Sequence, residues 1–244
     1  LWLLPESVHF LIQHRAGDAL ARLNAILTRN GWRALQALPP AREEIRAGGV
    51  RRLLDPEYRL WSLLLWVAFF MCMLTLYFLL SWIPKIVVDA GLAVRQGIYA
   101  NMAFNGGGAV GMTLLGYFSA RVGLRPFITV FMLVGIVVMT LFGRVDSQPG
   151  TLILVSFFIG FFVLGGFIGL YAVAARLYPT RLRSTGLGWA IGVGRLGAIV
   201  GPSLGGVLIE AGLGIAGVFA FMCVPLLFTA VAMATLRAPA LAVT

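Results

Sequence analysis

The chain has 244 residues, of which 60% are hydrophobic and only 11% charged. A soluble domain of this length carries about 25% charged residues, so an ordinary water-soluble globule is excluded. The net charge of +10 sorts by loop along an apolar chain, which sets aside a nucleic-acid surface and points to membrane topology instead.

The chain opens on Leu1-Trp2-Leu3-Leu4, which is apolar but too short to span a bilayer. It lacks the basic start and cleavage site of a secretory signal and reads as the last turn of a preceding helix. Residues 1–59 are expected to hold that helix end and a cytoplasmic segment. Gly17-Asp18 reads as a helix start, with Asp18 as the cap. Leu20, Leu23 and Leu27 then share one face, with Arg22 and Arg29 off it. This predicts a short amphipathic helix lying on the membrane or on the helix bundle. Leu38-Pro39-Pro40 breaks the chain. Glu43, Glu44 and Arg46 suggest a second short helix, ended by Gly48-Gly49, and Asp55-Pro56 opens the approach to the first span.

Six apolar stretches follow, at about 60–83, 96–120, 126–143, 150–175, 184–209 and 212–236. Each approaches the roughly 20 residues that a helix needs to cross the hydrocarbon core. Residues 60–244 are therefore expected to form a six-helix transmembrane unit, an all-α membrane protein. Fifteen basic residues fall on one side, nine of them arginines before the first span. Only Lys85, Arg95 and Arg144 fall on the other. Basic loops stay inside, so both termini are expected to be cytoplasmic. Cys72 and Cys223 both sit within spans and read as small buried hydrophobes.

Glycines recur at intervals of four: Gly107 and Gly111, Gly165 and Gly169, Gly188 and Gly192, then Gly197, Gly201 and Gly205. Such spacing lets helix backbones approach closely in lipid, and tight packing is the expectation for all of them. Pro202 should kink the fifth span, because it cannot donate to the carbonyl four residues back.

One charge lies near the middle of a span, and it is Arg195. A lone arginine at that depth costs about 2.5–3.5 kcal/mol on insertion scales. It therefore needs a water-filled cavity, an anionic partner, or a structural role at a kink. No acidic residue lies mid-span to pair with it, which leaves an anionic substrate among the candidates. Asn101 and Asn105 share a face of the second span and either line a polar cavity or clamp a neighbouring helix. Tyr77, Tyr99, Tyr171 and Trp189 offer rings for stacking or for packing. Trp82, near the outer end of the first span, reads as an interface anchor.

No catalytic constellation is legible. His9 and His14 have no cysteine or carboxylate at metal-ligand spacing. Gly106-Gly107-Gly108 lacks the Lys-Ser/Thr of a phosphate loop. Neither an enzyme nor a cofactor or metal is expected.

Three motifs then converge. Pro5-Glu6-Ser7 follows a helix end. Gly116-Tyr-Phe-Ser-Ala-Arg121-Val-Gly123-Leu-Arg125-Pro126 lies in the turn after the second span. Tyr178-Pro179-Thr180-Arg181-Leu-Arg183-Ser-Thr-Gly186 follows the fourth. Together they resemble the major facilitator superfamily, and the six spans resemble its C-terminal half. The fifth-span pattern from Gly186 to Pro202, and Leu76–Pro84 with Val88–Gly91, are similar to the aromatic acid:proton symporter family.

The resemblance implies proton symport of a small organic anion, an aromatic carboxylate, in a bacterial inner (plasma) membrane. Arg195 matches the arginine of the family's Gly-Arg pattern and is the expected carboxylate ligand, with Asn101, Asn105, Tyr77 and Trp189 as further candidates for the walls around the aromatic ring. The resemblance also implies a cytoplasmic gating motif of Gly116, Arg121, Gly123, Arg125, Arg181 and Arg183. Ala120 stands where the superfamily motif has an aspartate. The proton-coupling acid belongs to the family's N-terminal half, which this chain does not contain. The alternatives are a transporter of the same fold for a sugar or organic cation, and a membrane protein without transport activity of its own.

Overall fold

In a computed structural model, the structure describes residues 17–29, 31–38, 49–144 and 148–236. The Pro5-Glu6-Ser7 motif, the two histidines, the second short helix and Leu1–Leu4 lie outside the described residues. All regular structure among the described residues is helical. The chain divides into two compact units, residues 1–48 and 49–244.

The first unit contains α1 (Ala19–Arg29). Ala19, Leu23 and Leu27 are its buried positions, with Ile26 and Leu38 packed against the two leucines. Of the expected stripe, Leu23 and Leu27 are buried and Leu20 is half-buried. Gly31, at φ 74°, takes the left-handed turn that ends the helix. Its N–H donates to the Thr28 carbonyl, and the Trp32 N–H donates to the Leu27 carbonyl.

The second unit begins with a 3-10 turn, Val50–Leu54, whose Leu53 is fully buried. The helices are α2 (Arg59–Asp89), α3 (Val94–Val122), α4 (Leu124–Phe142), α5 (Pro149–Ile159), α6 (Gly165–Leu177), α7 (Thr180–Glu210) and α8 (Ile215–Thr235). A π-turn over Gly160–Leu164 joins α5 to α6, so together they make one crossing. Five helical segments are long and apolar enough to cross a membrane: α2, α4, α5 with α6, α7 and α8. The expected span 96–120 forms α3, unbroken over 29 residues. It is not among those five, since Asn101, Asn105 and six glycines lower its apolar content.

α2 is the centre of the unit. It leans most extensively on α7, and also on α8, α3 and α6. Two glycine seams bring backbones together. A Cβ on Gly197 or Gly201 would strike the backbone carbonyls of Phe70 or Leu74, and one on Gly205 would strike Phe78. Likewise, Gly107 and Gly111 lie against the carbonyls of Phe157 and Phe161, and Gly160 against that of Phe104. Only a residue without a side chain permits such approach.

Gly188 and Gly192 behave differently. A Cβ on either would meet nothing, so tight packing within this chain does not account for them. Buried hydroxyls find carbonyls, as lipid requires: Thr75 donates to Met222 at 3.1 Å and Thr229 to Pro225 at 3.1 Å. Cys72 and Cys223 are free and buried. Trp82, expected as an interface anchor, is half-buried near the end of α2. Its indole N–H donates to the Pro202 carbonyl at 3.0 Å and its ring stacks on Phe78, tying α2 to α7.

Candidate functional site

Arg195 stands half-way along α7, on the flank of the seam with α2. Gly194 and Gly197 on either side of it press on Phe69, Met73 and Phe70. Its backbone position is therefore fixed by glycine packing. The guanidinium reaches along α2 and donates to the Tyr77 hydroxyl at 2.7 Å. It also lies 5.9 Å from the centre of the Tyr77 ring. It remains exposed on the surface of the unit. Among the described residues, no carboxylate pairs with it. The resulting site is an oriented, unneutralised cation beside a phenol, which is a donor set suited to a carboxylate.

Tyr171 joins this neighbourhood from α6. It lies in the neighbourhood of both Arg195 and Tyr77. Its ring stands edge-on to Phe69, with centroids 5.2 Å apart.

Trp189 lies on the same helix, nearer the start of α7. Its ring sits 5.8 Å from that of Trp66. With Gly188, Gly192 and Leu196 it lines an open groove of about 490 Å³. The indole N–H of Trp66 is buried and, among the described residues, has no acceptor. Trp66 escaped the sequence reading, although a signal existed. It precedes Tyr77 by eleven residues, three helical turns, and so shares its face of α2.

Asn101 and Asn105 are not joined to Arg195. The Asn105 amide donates to the Asn101 carbonyl at 2.8 Å and to its side-chain oxygen at 3.1 Å. The pair is bonded within α3, and α3 and α7 do not touch.

The turn motif has a local explanation at two positions. Gly123 sits between α3 and α4 at φ 92°, where a side chain would be strained. Gly116 has open space around it. Arg121 donates to the Tyr117 hydroxyl at 3.4 Å and lies over that ring. Arg125 is half-buried and Arg183 exposed.

Nearby, Tyr178 staples three helices. It is 1% exposed, fills the space opposite Gly186 and donates to Ser62 of α2 at 2.9 Å. Burial pushes its hydroxyl above the usual tyrosine range, and the Ser62 bond opposes that shift.

At the other end of α2 and α7 lies a cavity of about 310 Å³ containing Trp82, Lys85, Asp89 and Glu210. Lys85 pairs with Asp89 at 2.5 Å, half exposed. No group of three or more potential metal ligands occurs among the described residues.

Residues 65–242 match the Major Facilitator Superfamily. The chain belongs to that superfamily and is an integral membrane protein. It is 31% identical to a gallate transporter of Pseudomonas putida, over 95% of this chain and 52% of the relative. Against a 3-(3-hydroxy-phenyl)propionate transporter of Escherichia coli K12 it is 38% identical, over 74% and 44%. Against a 4-hydroxybenzoate transporter of Acinetobacter baylyi it is 28% identical, over 95% and 52%. The chain thus spans about half the length of the curated relatives it matches. Membership of a transporter family sets aside an enzyme.

Proposed function

We propose that this chain is the C-terminal half of a secondary transporter that carries a small aromatic carboxylate together with a proton. The observation that carries the reading is the Arg195–Tyr77 pair, a fixed guanidinium with no carboxylate partner among the described residues. The named substrates of the three relatives support the aromatic class. Arg195 and the Tyr77 hydroxyl bind the substrate carboxylate, while Tyr171, Trp189 and Trp66 supply aromatic walls. Asn101 and Asn105 act on the α3 side, at more distance from the charge.

α3 is the sixth crossing, a polar helix that suits the edge of a cavity. The unit then works by alternating access against a second half, with the binding site between them. The coupling acid is assigned to that other half, because Asp89 and Glu210 of this one lie at helix ends. Arg121, Arg125, Arg181 and Arg183, with Gly116 and Gly123, form the cytoplasmic gate. Both termini are cytoplasmic, in a bacterial inner membrane. A cationic solute is disfavoured by Arg195, and a neutral sugar leaves its charge uncompensated.

The test is binding of 4-hydroxybenzoate by purified full-length transporter in detergent. Removing one partner of a buried charge pair costs about 2–5 kcal/mol, so Arg195→Ala should weaken binding well over tenfold. Arg195→Lys keeps the charge but loses the fork and should also bind poorly. Wild-type affinity in a monodisperse Arg195→Ala variant rejects the substrate role and leaves a structural one.

A further inference from the structure

The first unit presents a tryptophan outward by construction. α1 ends in a two-bond cap, with Gly31 N–H on the Thr28 carbonyl and Trp32 N–H on that of Leu27. In this motif, the residue at the Trp32 position usually packs back onto the one at the Leu27 position. Here Leu27 is 9% exposed and Trp32 is 70% exposed. The following loop is held as well. The Asn24 amide donates to the Leu35 carbonyl at 3.0 Å, and the Leu35 N–H donates to the Asn24 oxygen at 2.8 Å. Leu35 is itself 39% exposed. The turn is thus a clamped structure that leaves its two largest apolar side chains outside.

Among the described residues, the charges next to it in the chain are basic. Arg29 and Arg33 bracket Trp32 and are both exposed. Among the described residues neither has a carboxylate partner, since Asp18 of this unit is bonded to Arg22 at 2.7 Å. A tryptophan flanked by arginines, in a membrane protein, matches the bilayer interface. Indole rings settle at the level of the headgroups, and basic side chains are drawn to anionic lipid.

We infer that Trp32, with Leu35, Arg29 and Arg33, docks the α1 turn onto an anionic phospholipid surface. The buried stripe of α1 takes no part, because Ala19, Leu23 and Leu27 are already covered. Trp32 enters the interface, and the two arginines lie among phosphates.

The inference is tested on the full chain labelled with 5-fluorotryptophan, in nanodiscs with and without phosphatidylglycerol. The Trp32 fluorine resonance is identified by its absence in Trp32→Phe. In phosphatidylglycerol discs it should be broadened by a headgroup nitroxide and protected from an aqueous gadolinium chelate. In phosphatidylcholine discs, or in the Arg29→Gln/Arg33→Gln variant, the chelate should reach it. At about 1 kcal/mol per arginine, that double change should shift the docking equilibrium on the order of 30-fold. Unmoved resonances of the other tryptophans show that the variant is folded. Equal broadening by the chelate in both lipids overturns the inference. So does protection from both reagents, which means that protein covers the turn.

Discussion

The Tyr77 hydroxyl is the smallest change that separates the parts of the candidate site. Removing it leaves the ring under Arg195 and takes away one hydrogen bond to a charged group, which contributes roughly 1.5–3 kcal/mol when shielded from water. Arg195 is exposed in this unit, so the lower end applies. Tyr77→Phe should weaken carboxylate binding by roughly tenfold while leaving thermal stability in detergent unchanged. Equal affinities of the variant and the wild type would remove Tyr77 from the site. Arg195 was legible in the sequence because charge at mid-span is rare. Tyr77 was a candidate wall of the same site, but its hydrogen bond to Arg195 was not legible, because the two lie 118 positions apart and only the α2–α7 register brings them together. Asn101 and Asn105 were legible as a pair on one face, but the sequence left open what they bind. In this structure the Asn105 amide donates to Asn101.

At the scale of the helix, α7 has two glycine faces with opposite consequences. Gly197 and Gly201 are pressed on backbone carbonyls of α2, which cannot yield. Overpacking of this kind costs about 1–3 kcal/mol, so Gly201→Ala should lower the melting temperature in detergent. Gly188 faces open space. Gly188→Ala should leave the fold of this chain within about 0.5 kcal/mol of wild type. A transition for Gly188→Ala as low as that for Gly201→Ala would show that the two faces are not distinct. Gly160 makes a similar case on the other seam. It meets the Phe104 carbonyl at the start of the π-turn, and Gly160→Ala should separate α3 from the α5–α6 crossing. Spacing alone could not tell the packed glycines from the open ones. Both sets repeat every four residues, and only the neighbouring helix distinguishes them.

At the scale of the molecule, the charge distribution predicts how the chain is oriented. If Arg121 and Arg183 lie in the cytoplasm and Lys85 and Arg144 outside, a membrane-impermeant thiol reagent should reach cysteines only at the second pair in intact cells. Labelling at position 121 from outside would reverse the topology. The same experiment decides whether α3 crosses, because Arg95 and Arg121 stand at its two ends. Labelling of both ends from one side would reduce the six expected crossings to five.

Composition and periodicity determined the class of this protein, five helices long and apolar enough to cross a membrane, and the one charge near the middle of such a helix. These follow from local physics: a bilayer-length apolar run has to be a helix, and a mid-span arginine has to be explained. Tertiary structure decided the rest. It placed Tyr77 on Arg195, put Trp66 beside Trp189, bonded Trp82 of α2 to the Pro202 carbonyl of α7, and left Trp32 exposed. Each of these depends on the distance and register between segments far apart in the chain, or on which face a fold has already covered. Neither is encoded in the spacing of residues along a single helix.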